Sequence, residues 1–148
     1  MTPGARPQLS LKGRALRYLS QREHSRKELE RKLAKHAEEA GEVERVLDDL
    51  QARGFIDHQR VADSVVHRKA GKLGALRIKQ ELQAKGVEPA LVQSAVAQLK
   101  ATEIERARVV WRRKFESAPA DARERARHAR FLAARGFSGD AIARVLKG

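Results

Sequence analysis

The feature that most constrains this chain is a pattern of apolar residues that returns about every fifty positions. Shifts of 49 and 50 residues superpose apolar residues and one glycine without a gap, pairing Leu29 with Ile78, Leu33 with Leu82, Leu50 with Leu99, Leu82 with Leu132, Gly86 with Gly136 and Val92 with Ile142. The matched positions recur at i, i+3, i+4 and i+7, which is the spacing of one helix face. A period of this length is typical of a repeat protein.

Each repeat is predicted to contain about three short helices. A single unit of this size buries little surface, so neighbouring units must pack on one another to be stable. We therefore predict an all-α fold of three tandem repeats of a three-helix motif, elongated and curved. The predicted boundaries are a flexible tail at 1–10 and repeats at 11–56, 57–100 and 101–148. Chance similarity among helices rich in Ala and Leu is the alternative explanation.

Local signals mark the predicted helix ends. Ser25 and Thr102 are each followed three positions later by Glu, the pattern of a capping box at a helix start. Asp57 and Ser138 are predicted N-caps. Pro89 suits the first turn of a helix, where its missing N–H costs nothing.

The charge of the chain predicts an acidic partner. Thirty-two basic and 19 acidic residues give a formal net charge of +13, which favours nucleic acid or an anionic protein surface. Residues 66–86 carry six basic residues and one acidic residue, whereas residues 36–64 carry eight acidic and three basic ones. Positive charge returns on the second helix of each repeat, which predicts a basic stripe. The alternative is that Lys and Arg merely solvate exposed faces.

No pattern typical of an enzyme is found in the sequence. The chain has no Cys, which excludes thiol chemistry and fits a cytoplasmic location. No two His are three to five positions apart, and no glycine-rich phosphate loop is present. No apolar run approaches the ~20 residues that span a membrane. We expect no enzymatic activity, no catalytic or metal-binding residue, no cofactor and no membrane association.

Two single residues allow more than one interpretation. His128 stands at the repeat position of Leu29 and Ile78, either as a pH-sensitive contact or as a buried His in an atypical terminal repeat. Trp111 fits a packed helix face, and stacking on a nucleic-acid base is the alternative. A three-helix unit also permits a helix-turn-helix interpretation, but no helix carries a clear pattern of side chains that would recognise base edges.

Four segments occur along the chain in a specific order. They read RYLSQREHSRKELERKL, VLDDLQARGFIDHQRVADSVVHRK, GALRIKQELQAKGV and RFLAARGFSGDAIARVL. In this order they resemble the family of the bacterial recombination regulator RecX, and the resemblance extends from about Leu11 to Leu146. It implies an all-helical fold of three tandem repeats that binds the RecA–single-stranded DNA filament. It further implies restraint of RecA strand exchange, ATP hydrolysis and coprotease activity, in DNA repair and the SOS response.

A curved array with a basic face suits such a filament, because the filament is a periodic anionic track. We expect that face to include eight basic residues: Lys69, Lys72, Arg77, Lys79, Arg112, Arg113, Arg130 and Arg135. Contacts with single- and double-stranded DNA are expected to be electrostatic and not sequence-specific, and the protein is expected to be a monomer. Two alternatives remain, a nucleic-acid-binding module that acts without RecA and a scaffold for another acidic protein.

Overall fold

The computed structural model describes residues 8–147, which form nine α-helices and no β-strand. The helices are α1 (Leu11–Gln21), α2 (Arg26–Ala34), α3 (Glu42–Ala52), α4 (His58–Lys69), α5 (Ala75–Ala84), α6 (Pro89–Ala101), α7 (Glu103–Lys114), α8 (Ala122–Ala134) and α9 (Gly139–Lys147). The predicted all-helical class is confirmed.

The predicted tail at 1–10 is only partly within this range, because residues 1–7 lie outside the described residues, as does Gly148. Ser10, which was assigned to the tail, instead N-caps α1. Its hydroxyl oxygen accepts a hydrogen bond of 3.0 Å from the Gly13 amide.

Most of the predicted helix starts are confirmed by their hydrogen bonds. The capping box of α2 is complete, since the Glu28 amide donates to Ser25 Oγ (3.2 Å) and the Ser25 amide donates to Glu28 Oε1 (3.0 Å). The Asp57 carboxylate accepts from the Arg60 amide at the start of α4 (3.0 Å). Ser138 caps α9 in the same way, and Pro89 occupies the first turn of α6.

The capping box predicted at Thr102 is wrong. Thr102 ends α6 and begins α7 at once, and its side chain accepts no backbone cap hydrogen bond. Its hydroxyl group instead donates to the Leu99 carbonyl (3.4 Å) and accepts from Arg106 Nε (3.0 Å). A residue that is shared by two abutting helices does not take the extended conformation that an N-cap side chain requires.

The chain divides into two compact units, and the division falls within α4, between Val61 and Ala62. In the N-terminal unit, α1, α2 and α3 pack pairwise on one another. Their core consists of Leu11, Ala15, Leu29, Leu33, Leu47, Leu50 and Ile56. In the C-terminal unit, α5 packs on α6, α6 on α7, and α7, α8 and α9 on one another.

The repeat register is visible in the burial of equivalent residues. Leu33, Leu82 and Leu132 stand at corresponding positions of the repeat, and none of the three has exposed surface. Their equivalence confirms the apolar register that the sequence predicts. The boundaries of the three repeats remain a prediction.

Candidate nucleic-acid interface

A buried carboxylate joins α7, one of the helices of the candidate interface, to the starts of α5 and α9. Glu103 is 5% exposed, although it begins α7. Its carboxylate accepts hydrogen bonds from the Ala75 amide at the start of α5 (3.3 Å) and from the Ser138 amide at the start of α9 (3.4 Å). One side chain therefore caps the first turns of two other helices, where unpaired amide groups and the helix dipole favour a negative charge.

Arg106 neutralises this carboxylate from the next turn of α7. Its Nη2 lies 3.5 Å from Glu103 Oε2. Its guanidinium group also donates to the carbonyls of Ala70 (2.9 Å), Leu73 (2.8 Å) and Leu99 (2.8 Å). Burial lowers the pKa of Arg106, and the Glu103 charge counteracts that effect. This pair is not predicted from the sequence, because Glu and Arg three residues apart usually lie on an exposed helix face.

Two glycines allow the start of α5 to meet the end of α8. The Gly74 amide donates to the Arg135 carbonyl (2.8 Å), and the Leu76 amide donates to the Gly136 carbonyl (3.2 Å). Gly136 has φ of +91°, and a Cβ there would lie 2.6 Å from the Arg77 amide nitrogen. Arg77 completes the junction by donating to the Ala134 carbonyl (2.7 Å). These contacts fix α8 against α5.

Two hollows with basic walls lie side by side on α7 and α8. The first, of about 300 Å³, is lined by Lys72, Arg113, Lys114 and Arg135 around Phe131, together with Gly71 and Val110. The second, of about 540 Å³, is lined by Lys114, Arg127 and Arg130 around Phe115 and Phe131. Lys114 and Phe131 belong to both. We call these six basic residues and two phenylalanines the α7–α8 basic surface.

The cations of this surface lie over its aromatic rings. Arg135 Cζ is 4.9 Å and Lys114 Nζ is 5.7 Å from the centroid of the Phe131 ring. Arg127 Cζ is 5.6 Å from the Phe115 ring. The two rings meet edge to face, with centroids 5.5 Å apart. Surfaces that bind single-stranded nucleic acid combine cations for the phosphates with aromatic rings for the bases, and this arrangement offers both.

A buried histidine packs against Phe115 of the α7–α8 basic surface. His128 is 2% exposed, its ring stacks on Phe115 at 3.7 Å, and its Nδ1 accepts a hydrogen bond of 3.0 Å from Trp111 Nε1. Burial lowers the pKa of His128, Arg127 lowers it further, and Glu124 acts in the opposite direction. The ring is buried in the terminal repeat, as one of its two interpretations predicts, and the hydrogen bond from Trp111 requires an unprotonated Nδ1. Trp111 packs against the core of α7, α8 and α9.

The structure brings together four of the eight predicted basic residues. Lys72, Arg113, Arg130 and Arg135 belong to the α7–α8 basic surface. Arg77 has a structural partner in the Ala134 carbonyl, and Lys79 lines a different cavity. Lys69 and Arg112 line neither of the two hollows.

Sequence reasoning missed Lys114, Arg127 and the two phenylalanines. The spacing of Arg127, Phe131 and Arg135, each four residues after the last, is the signal that would have found part of the set. Residues four apart lie on one helix face, so a ring between two cations on α8 is a readable pattern.

Two kinds of site are absent from residues 8–147. No three His, Cys, Asp or Glu side chains gather there in an arrangement that would hold a metal ion. Within the same range, no helix has the length and apolar character needed to cross a membrane.

Comparison with known proteins identifies the family. Models described as the first, second and third three-helix domains of RecX match residues 12–50, 57–96 and 101–146. The chain belongs to the RecX family. Regulatory protein RecX of Leptothrix cholodnii is 58% identical over 96% of this chain and 90% of its own length. Regulatory protein RecX of Ralstonia nicotianae is 49% identical over 97% of this chain and 90% of its own length.

Two crystal structures of RecX show the same fold. A structure described as regulatory protein RecX superposes with a TM-score of 0.79 at 24% identity, covering 93% of this chain and 71% of the other. RecX from Lactobacillus salivarius superposes with a TM-score of 0.77 at 22% identity, covering 93% and 92%. Three tandem three-helix domains of RecX are thus the architecture of this chain.

Proposed function

We propose that this chain regulates RecA by binding the RecA–single-stranded DNA filament, and that it restrains strand exchange, ATP hydrolysis and coprotease activity. The observation that carries the proposal is membership of the RecX family over nearly the whole chain, among relatives named regulatory proteins. Such a regulator needs no catalytic residue or cofactor, and it acts as a cytoplasmic monomer.

The α7–α8 basic surface is our candidate for the contact with the nucleic acid of the filament. Its cations suit phosphates, and the half-buried ring of Phe131 suits an exposed base, whereas His128 already covers one face of Phe115. Each phosphate contact steepens the salt dependence of binding by just under about one log unit of affinity per log unit of salt. Binding to nucleic acid through this surface is therefore expected to weaken steeply as salt rises.

The proposed function is tested by titrating the protein into RecA assays of ATP hydrolysis and strand exchange on single-stranded DNA. We expect inhibition of both activities, with a half-maximal concentration that rises with salt. Full RecA activity at a saturating concentration of this protein would contradict the proposal.

The role of the surface is tested by a double charge reversal, Arg113→Glu with Arg130→Glu. Loss of two phosphate contacts is expected to flatten the salt slope for single-stranded DNA by nearly two log units and to weaken binding at least tenfold. The matched control is Arg68→Glu with Lys147→Glu, which changes net charge equally at exposed residues outside both hollows. Equal effects of the two variants would show that net charge alone acts.

A second candidate function is a nucleic-acid-binding module that acts without RecA. The basic and aromatic character of the α7–α8 surface supports it directly, since that surface suits free single strands equally well. Inhibition of RecA at protein concentrations far below the dissociation constant for bare DNA favours the filament. Inhibition only at concentrations that coat the DNA favours the module.

A further inference from the structure

A second concave site lies where α5, α6, α7 and α9 meet in the C-terminal unit. It has a volume of about 360 Å³. Its apolar lining consists of Ala75, Leu76, Val96, Ile104 and Ala141. We call it the four-helix cavity. It lacks the aromatic rings that distinguish the α7–α8 basic surface.

Leu76 lies at this cavity with more than half of its side chain in solvent. It is 54% exposed, the highest value among the large exposed apolar residues of the described range. It occupies the second position of α5, where a polar side chain would suit the helix start better. An exposed leucine beside an apolar hollow is typical of a binding site for an apolar group.

The charges at the cavity leave it positive. Glu103 is neutralised by Arg106 and by two amides, and Asp140 pairs with Arg144 at 3.4 Å. Lys79 and Lys100 are exposed and line the same cavity. Within residues 8–147, neither lysine has an ion-pair partner. The first turns of α5 and α9 also border the cavity, and their amides are capped by Glu103.

We propose that the four-helix cavity binds an acidic segment of a partner protein, with one aliphatic side chain in the hollow and carboxylates at Lys79 and Lys100. The inference rests on the proposed function in one respect, because it takes the protein part of the filament as the source of that segment. The α7–α8 basic surface then binds the nucleic acid of the filament, while the four-helix cavity binds its protein part.

The chemistry of the cavity favours protein over nucleic acid. Its walls are aliphatic, whereas a base is held by stacking on an aromatic ring. An aliphatic side chain fits such a hollow without a polar partner, whereas a phosphate would need one. Carboxylates that flank this aliphatic side chain would pair with Lys79 and Lys100, which line the same cavity.

The direct test uses a synthetic acidic heptapeptide with one central leucine, titrated into the ¹⁵N-labelled full chain. Two control peptides carry a central alanine or lysines in place of the acids. We expect the amide signals of Leu76, Val96 and Ile104 to shift with the acidic leucine peptide, and the affinity to fall at least tenfold for each control. Equal shifts with all three peptides, or no shift at millimolar peptide, would overturn the proposal. Shifts that depend on protein concentration without peptide would assign the cavity to a second copy and also overturn it.

A matched pair of variants connects the cavity to the filament. Leu76→Asp places a negative charge at the cavity in a first helical turn that tolerates acids, whereas Leu76→Met keeps the site apolar. We expect Leu76→Asp to weaken peptide and filament binding at least tenfold with bare-DNA binding unchanged, and Leu76→Met to change neither. Undiminished peptide binding by Leu76→Asp would refute the site. Failure of the wild type to bind the filament would refute the proposed function alone, since the peptide result stands by itself.

Discussion

The two compact units of this chain differ in charge and in how their charged groups are held. Residues 8–61 carry twelve basic and ten acidic residues, while residues 62–147 carry nineteen basic and nine acidic ones. Most ion pairs of the N-terminal unit are at least partly exposed on both sides, as in Arg53 with Asp49, whose side chains are 60% and 39% exposed. In the C-terminal unit, the side chains of Glu103 and Arg106 are only 7% and 14% exposed. The unit that carries most of the positive charge is the one organised by a buried ion pair.

This difference explains how a strongly basic surface is kept in one arrangement. Glu103 and Arg106 reach backbone groups 28 to 36 residues away in sequence, and so fix α7 against α4, α5 and α9. Repulsion among the cations of the α7–α8 basic surface acts against compaction. Buried hydrogen bonds between charged groups and backbone oppose it, because breaking them would leave desolvated charge unpaired.

Removal of Arg106 is the strongest test of the comparison. Arg106→Ala leaves the Glu103 carboxylate buried without its cation, so we expect the unfolding free energy of the C-terminal unit to fall by about 3–5 kcal/mol. Arg26→Ala in the N-terminal unit leaves the carboxylates of Glu30 and Asp48 without this cation, but both are exposed to water, so the expected cost is about 1 kcal/mol or less. Urea unfolding followed by Trp111 fluorescence reports the C-terminal unit, since this is the sole tryptophan. Circular dichroism reports both units, and equal losses for the two variants would remove the distinction.

Two glycines with similar backbone geometry allow a finer comparison. Gly54 in the N-terminal unit has φ of +82° and nothing within 4 Å of a Cβ, whereas a Cβ on Gly136 would meet Arg77. Gly54→Ala is expected to cost about 1–2 kcal/mol for the left-handed backbone alone. Gly136→Ala adds a steric clash and is expected to cost about 2–4 kcal/mol in total. Thermal unfolding measures both, and a Gly136→Ala variant no less stable than Gly54→Ala would disprove the tight contact between α5 and α8.

The smallest expected effect is one that both units share, a loss of stability in mild acid. His24 is 1% exposed, with Nδ1 3.0 Å from the Arg22 carbonyl and Nε2 3.3 Å from Lys32 Nζ. Burial is the main cause that lowers the pKa of His24, as it is for His128. The charges of Arg22 and Lys32 lower it further, while the hydrogen bond with the Arg22 carbonyl and the charge of Glu28 raise it.

A histidine with a lowered pKa in the folded state is neutral there, whereas the unfolded chain binds a proton below about pH 6.5. Stability is therefore constant above about pH 6.5 and declines as pH falls from there toward the lower folded pKa values. His128→Gln is expected to reduce this decline in the transition reported by Trp111 and to leave the N-terminal unit unaffected. A wild-type unfolding midpoint that stays constant between pH 7 and pH 5 would contradict the buried neutral histidines.

The local structure could be predicted because the residues that determine it lie close together in sequence. The capping box of Ser25 and Glu28 and the N-caps Asp57 and Ser138 follow from spacings of three residues. The equivalence of Leu33 with Leu82 follows from a helical apolar pattern that repeats after 49 residues. The capping box predicted at Thr102 is wrong because the same spacing occurs where two helices abut. There the adjoining helix changes which groups the Thr102 hydroxyl group can reach.

Only half of the residues of the candidate interface were predicted from the sequence. Net charge and helical spacing pointed to Lys72, Arg113, Arg130 and Arg135. They did not separate these residues from Arg77, because a guanidinium group that binds a distant helix end has the same sequence signature as one that faces a ligand.

The sequence by itself determined that this chain is helical, repeated every fifty residues, strongly basic and a member of the RecX family, since helix periodicity, composition and family motifs are properties of the order of residues. Only the tertiary structure decided that Glu103 and Arg106 are buried, that α5 meets α8 through two glycines, and that basic residues of α7, α8 and the α4–α5 loop surround two phenylalanines. The physical reason is that burial and pairing depend on which helix lies against which. The sequence does not show which backbone groups a charged side chain will contact once the chain has folded.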